Sequence, residues 1–130
     1  KINKHTIIMV SKEGLKLIDK ILSDIERNGI VTNTIVADLQ KLRPFAIEEE
    51  DPSLTKVIRL TYEHIEENKG FSIPIPEDEE IEEGVELVKI ELTEETKVES
   101  LNYLVSLMKD AMKAANRTDL LEYRDALMKF

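Results

Sequence analysis

Residues 51–70 decide the fold most clearly, and they read DPSLTKVIRLTYEHIEENKG. Asp51 can accept a hydrogen bond from the free N–H groups of a first helical turn, and Pro52 fits the first helical position. Mostly apolar side chains then recur every three or four residues, which predicts one buried helix face. These side chains are Leu54, Val57, Ile58, Thr61, Tyr62 and Ile65. The stretch therefore predicts an amphipathic helix that ends near Asn68, with Gly70 beyond its end.

Two further helices are predicted on the N-terminal side of this stretch. The first covers about 11–28, because Ser11 is a suitable N-cap, apolar residues follow at helical spacing, and Gly29 is a typical stop. The second covers about 33–42, with apolar residues on one side. We expect Pro44 to end it, since the residue before a proline avoids the helical region.

The last third of the chain predicts two more helices. Thr96 and Glu99 have the spacing of a capping box, and an apolar stripe continues from there to about Ala115. The Asn-Arg-Thr sequence at 116–118 is expected to break this helix. Thr118 would then cap a final helix that turns its apolar side chains inward.

The remaining segment lacks a clear helical pattern. Residues 71–76 alternate apolar side chains with others but include two prolines, which restricts them to an edge strand or an extended arm. Residues 85–92 fit either a strand or a helix, and a strand that pairs with 71–76 is favoured. The sequence therefore predicts a mainly α protein: a small bundle of four to five helices with at most a short two-stranded β element (71–76 with 85–92). These elements would form a single domain over 1–130, with an acidic loop or strand segment at about 71–92.

The charge of the chain is concentrated in one segment. Among 130 residues there are 27 acidic and 18 basic side chains, which gives a net charge of −9. Residues 77–99 hold eleven acids and two lysines, so this segment carries the whole net charge and the rest is neutral. Such a segment is either a solvated loop or a docking site for a basic protein surface, and it disfavours nucleic-acid binding. The acids proposed to bind the partner are Glu77, Asp78, Glu79, Glu80, Glu82, Glu83 and Glu86.

Several classes of protein are excluded by what the sequence lacks. Without cysteine there can be no disulfide and no Cys-ligated zinc. The apolar runs are far shorter than the about 20 residues of a membrane-spanning helix, and no signal-peptide pattern is present, so a cytoplasmic location is expected. The two histidines and four isolated glycines form neither a metal-ligand motif nor a phosphate-binding loop. No metal, cofactor or membrane is therefore expected to bind.

One pattern could carry catalysis. Arg59 and His64 form an R-x4-H pattern on the 51–70 helix. It is similar to the R-x4–6-H signature of the HEPN family of helical ribonucleases and nucleotide-binding proteins. The resemblance implies that Arg59 stabilises the scissile phosphate and that His64 helps to activate the ribose hydroxyl, usually across a dimer. Helical geometry places Arg59 about 130° from the centre of the apolar stripe and His64 on its flank, so the alternative is an exposed arginine and a flanking histidine.

Three functions are compatible with these features. The leading hypothesis is a non-catalytic protein–protein interaction module that uses the acidic segment 77–99. The first alternative is an immunity protein or antitoxin that neutralises a basic partner such as a nuclease. The second is a HEPN-like ribonuclease that carries Arg59 and His64. Because no other catalytic constellation is present, the sequence favours a protein that is not an enzyme.

Overall fold

The protein is a bundle of α-helices. A computed structural model describes residues 12–76 and 93–130, and it contains five helices and no strand within those ranges. The helices are α1 (Lys12–Asn28), α2 (Thr32–Glu48), α3 (Pro52–Asn68), α4 (Glu94–Leu107) and α5 (Ala114–Lys129). A short 3-10 turn, Met108–Asp110, lies between α4 and α5. The predicted mainly α bundle is confirmed.

The core is one cluster of apolar side chains to which all five helices contribute. The most extensive contact is between α2 and α3, while α1 packs against α2 and α4, and α5 packs against α3 and α4. Burial of each leucine or isoleucine side chain in this cluster stabilises the fold by about 1.5–3 kcal/mol. The predicted stripe of α3 is part of the cluster, with Val57, Ile58 and Ile65 fully buried. Amphipathic periodicity therefore identified the correct face of this helix.

A charged pair joins α1 to α2. Asp38 of α2 is only 4% exposed, and the Lys20 Nζ of α1 donates a hydrogen bond to its Oδ2 at 2.6 Å. Lys20 also donates to Asp24, one helical turn further along α1. The hydrogen bonds to Asp38 and then to Asp24 raise the pKa of Lys20 above its ordinary value. The buried carboxylate thus has the cationic partner that its burial requires.

The second helix extends well beyond its predicted end. It continues through Pro44 to Glu48, so the prediction that Pro44 ends it was wrong. A proline inside a helix removes one backbone donor and crowds the preceding turn, at a cost of about 3 kcal/mol. Leu42 and Ala46 on either side of it are fully buried against the rest of the core. Tertiary packing of this face outweighs the local cost.

A tight turn connects α2 to α3. The N–H of Glu50 donates to the Ile47 carbonyl at 3.0 Å, and the N–H of Asp51 donates to the Ala46 carbonyl at 3.2 Å. These two bonds form a Schellman motif, in which the residue at the left-handed position is Glu50, with a φ of 55°. Asp51 then caps α3 by accepting the Leu54 N–H, and Pro52 is its first residue, as the sequence predicted.

The ends of α4 and α5 differ from the predicted ones. The N-cap of α4 is Thr93, whose hydroxyl accepts the Thr96 N–H, so Thr96 is not the cap. The predicted break at 116–118 was also wrong, because α5 already begins at Ala114. Thr118 lies inside this helix, and its hydroxyl donates to the Ala114 carbonyl one turn earlier, a bond that a helix interior tolerates. The actual break is the 3-10 turn and the residues after it.

Residues 71–76 run along the bundle without regular secondary structure. Phe71 and Ile73 are buried, and the Ser100 Oγ of α4 donates to the Ile73 carbonyl at 2.6 Å. The Tyr123 hydroxyl of α5 lies 2.9 Å from Ser100 Oγ and donates to the Ser100 carbonyl at 3.0 Å. Burial raises the pKa of Tyr123, so its phenol stays neutral. The extended arm is therefore attached to the helices, while the predicted strand partner 85–92 lies outside the described residues.

Candidate functional site

The acidic segment is described only at its C-terminal end. Glu77, Asp78, Glu79, Glu80, Glu82, Glu83 and Glu86, the acids predicted to bind a partner, lie outside the described residues. Glu94, Glu95 and Glu99 belong to the segment and are exposed on α4. Glu94 and Glu95 occupy the first helical turn, where carboxylates are stabilised by the positive end of the helix dipole. Together, Glu94, Glu95 and Glu99 form the carboxylate cluster of α4, and a partner in solution can reach it.

His64 holds the extended arm against α3. It is 6% exposed, and its Nε2 accepts the Ser72 N–H at 3.0 Å. Its ring meets the rings of Phe71 and Phe130 edge-on, at centroid distances of 5.5 and 4.6 Å. Because Nε2 is an acceptor, the neutral ring carries its proton on Nδ1. The sequence predicted only that His64 lies on the flank of the apolar stripe. These contacts give it a structural role, because they attach the extended arm to α3.

Arg59 lies in a different environment from His64. Its side chain is 38% exposed, and Nη1 forms an ion pair with Glu63 at 3.1 Å. It lines an open groove together with Arg43 and Lys56. His64 is instead covered by aromatic rings and bonded to the arm, so the two members of the R-x4-H pattern do not face one common site. The described geometry therefore does not place an exposed, nucleophile-activating histidine beside a phosphate-binding arginine.

Neither a search for metal-binding and membrane-spanning features nor comparison with known proteins assigns a function to the described residues. Within 12–76 and 93–130, no group of three or more His, Asp or Glu side chains is placed to hold a metal ion. No helix in that part of the chain has the length and apolar character needed to cross a membrane. No protein-family model, no curated protein and no solved structure matches the chain.

The buried position of His64 predicts a specific pH dependence. Burial lowers its pKa below the ordinary 6.5, although the nearby Glu67 opposes the shift. As the pH falls below 6.5, the unfolded chain takes up a proton that the folded chain resists, so stability is lost. We expect His64→Gln to flatten the dependence of the free energy of unfolding between about pH 7 and 5, by at most about 1.4 kcal/mol per pH unit.

Urea unfolding at a series of pH values measures this effect. The other histidine is present in both proteins, so its contribution cancels in the difference between them. Glutamine keeps an acceptor for the Ser72 N–H but cannot titrate, which separates protonation from loss of the hydrogen bond. Parallel pH profiles for the two proteins would show that His64 protonation does not affect folding.

Proposed function

We propose that this protein is a non-catalytic interaction module that binds a basic surface of a partner protein through the acidic segment 77–99. A cytoplasmic location belongs to the same proposal. The observation that carries it is the segregation of charge: the segment holds the whole net charge of −9, and the rest of the chain is neutral. A field of one sign, concentrated in one segment, attracts a complementary partner and orients it as it approaches.

The described end of the segment supports this proposal. Glu94, Glu95 and Glu99 are exposed on α4, a helix that is anchored in the core by Leu101, Leu104 and Val105. The packed helix fixes the backbone positions of these carboxylates, so no backbone has to become ordered when a partner binds. A basic surface could therefore dock against this cluster without any rearrangement of the bundle.

A charge-matched pair of variants tests the proposal. The first variant changes Glu94, Glu95 and Glu99 to glutamine, and the second changes the exposed Glu13, Glu26 and Glu122 in the same way. We expect the first variant to weaken partner binding about tenfold at low salt, because it removes three exposed ion pairs that contribute about 0.2–1 kcal/mol each. The second variant should leave binding nearly unchanged. A pull-down from lysate of the source organism identifies the partner, and calorimetry then measures affinity.

Two kinds of outcome of this test are informative. A partner that is retained equally by both variants, or that resists about 0.5 M salt, contradicts docking through the acids. A partner that is toxic when expressed alone and harmless together with this protein would make the module a neutraliser of the immunity or antitoxin type. A glutamine variant that also covers the seven acids between 77 and 86 extends the test to the rest of the segment.

A further inference from the structure

An open groove of about 450 Å³ lies between the C-terminal part of α2 and the N-terminal half of α3. Three basic side chains line it: Arg43 from α2, and Lys56 and Arg59 from α3. Ile47, which is 52% exposed, gives the groove an apolar wall. The groove thus combines clustered positive charge with apolar surface. The groove therefore differs in chemistry from the acidic segment proposed to bind a protein partner.

Two of the three cations lack a counter-ion in the described part of the chain. Neither Arg43 nor Lys56 forms an ion pair within 12–76 and 93–130. The Nε of Arg43 is buried and has no hydrogen-bond partner among these residues. A buried guanidinium N–H without an acceptor is costly, because the group has lost its hydration without compensation. Among the described residues, the ion-pair partner of Arg59 is the exposed Glu63, which binds one of its nitrogens.

The acids beside the groove do not neutralise these cations. Asp51 lies in its wall, but its two oxygens already accept from Nη1 and Nη2 of Arg117, at 3.1 and 2.8 Å. Glu50 also lines the groove; its side chain is exposed and forms no ion pair within 12–76 and 93–130. Arg43, Lys56 and Arg59 outnumber this one unpaired carboxylate, so the groove has a net positive charge from α2 and α3 together.

The number of cations and the size of the groove indicate the ligand. A carboxylate brings one negative charge, whereas a phosphomonoester brings about 1.5–2 and three strong acceptor oxygens. Guanidinium groups match phosphate oxygens through paired donors, and a lysine adds a point charge. Small-molecule sites have volumes of about 300–1,000 Å³, and the groove lies within that range.

We propose that this groove binds the phosphate group of a small phosphorylated molecule. The Nη groups of Arg43 and Arg59 and the Nζ of Lys56 bind the phosphate oxygens. Ile47 contacts the apolar part of the molecule. Arg59 thus contributes to a binding site without His64, which lies buried elsewhere on the same helix.

Phenyl phosphate is a suitable probe, because it combines a phosphomonoester with an apolar ring. We expect saturable binding in an NMR titration of the full chain, with shifts of the Arg43 Nε–H signal and of backbone amides at 47–56. Benzoate, which has the ring and a single carboxylate charge, should bind at least about tenfold more weakly. Inorganic phosphate should also bind more weakly, since it makes no contact with Ile47.

Four single substitutions locate the site. Arg43→Gln and Lys56→Gln should each weaken phenyl phosphate binding about tenfold. Glu63→Gln should strengthen it about two- to fivefold, because Arg59 loses its competing partner. Lys41→Gln removes the same charge from an exposed position of α2 and should leave the affinity unchanged. Thermal melting confirms that each variant is folded, and the partly exposed Lys56 makes that variant the safer of the two basic ones.

Several results would overturn the proposal. One is the absence of saturable phenyl phosphate binding at millimolar concentration, and another is a Lys41→Gln variant that weakens binding as much as Lys56→Gln. An unshifted Arg43 Nε–H signal would place the phosphate outside the groove. Tighter binding of a short oligothymidylate, with shifts that extend beyond α2 and α3, would replace the small-molecule ligand by a nucleic-acid backbone.

Discussion

Replacing Tyr123 with alanine is expected to lower the free energy of unfolding by about 3–5 kcal/mol, a large part of the stability of a domain of this size. Tyr123 is fully buried, and its ring lies between those of Phe71 and Tyr103, at centroid distances of 6.3 and 6.4 Å. The substitution leaves a cavity where the extended arm, α4 and α5 meet. It also removes the hydroxyl that donates to the Ser100 carbonyl. Urea unfolding followed by circular dichroism measures the change.

Two milder variants separate packing from hydrogen bonding. Tyr123→Phe keeps the ring and removes only the hydroxyl, so we expect a loss of about 1–3 kcal/mol. Ser100→Ala removes the donor to the Ile73 carbonyl at 2.6 Å and should cost a similar amount. Because the two hydroxyls lie 2.9 Å apart, the double variant should lose less than the sum of the single losses. Strict additivity, or a Tyr123→Ala loss below about 1 kcal/mol, would contradict this account of the junction.

Much of the fold could be predicted because it depends on local patterns. The stripe of α3, its Asp51 cap and its Pro52 start follow from spacing and backbone chemistry within one segment. The same holds for α1, which ends where Gly29 adopts a positive φ of 70°. Such signals depend on neighbours along the chain, and the sequence displays those neighbours directly.

The errors arose where contacts distant in sequence outweigh local preference. Pro44 is a helix terminator by local rules, yet α2 continues because Leu42 and Ala46 are buried against other helices. In the turn after α2, Glu50 adopts a left-handed conformation. A glycine at this position would have predicted the turn, but a glutamate does not. Continuation of α2 also places Arg43 and Ile47 one turn apart on the side of α3. The groove could not be predicted without that extra turn.

The candidate sites were predictable to different degrees. Composition alone located the acidic segment, since charge is counted directly from the sequence. The R-x4-H pattern, in contrast, gave no information about which side chain is buried. His64 is covered by Phe71, seven residues later, and by Phe130 at the end of the described chain. Only tertiary packing reveals that His64 attaches the arm while Arg59 belongs to the groove.

Replacing Asp51 with alanine is expected to lower the free energy of unfolding by about 2–4 kcal/mol. The carboxylate has two structural roles, since it accepts the Leu54 N–H as the cap of α3 and binds Arg117 of α5 through both oxygens. Loss of a cap alone costs about 0.5–2 kcal/mol. The side chains of Asp51 and Arg117 are only 11% and 22% exposed, so alanine also leaves a largely buried cation without its partner. Urea unfolding measures the total.

Matched variants divide this loss between its two causes. Asp51→Asn can still accept the Leu54 N–H but carries no charge, so it should lose mainly the ion-pair contribution. Arg117→Met removes the same pair from the other side and leaves the cap intact. The exposed pair of Arg124 with Asp125, where the aspartate is 56% exposed, is the control, and Asp125→Asn should change stability by less than about 0.5 kcal/mol. If Asp51→Asn proved as harmless as Asp125→Asn, the bridge from α3 to α5 would contribute nothing beyond the cap. A larger loss shows that one carboxylate at the start of α3 also holds α5 in place, because burial reduces the screening that weakens the exposed pair.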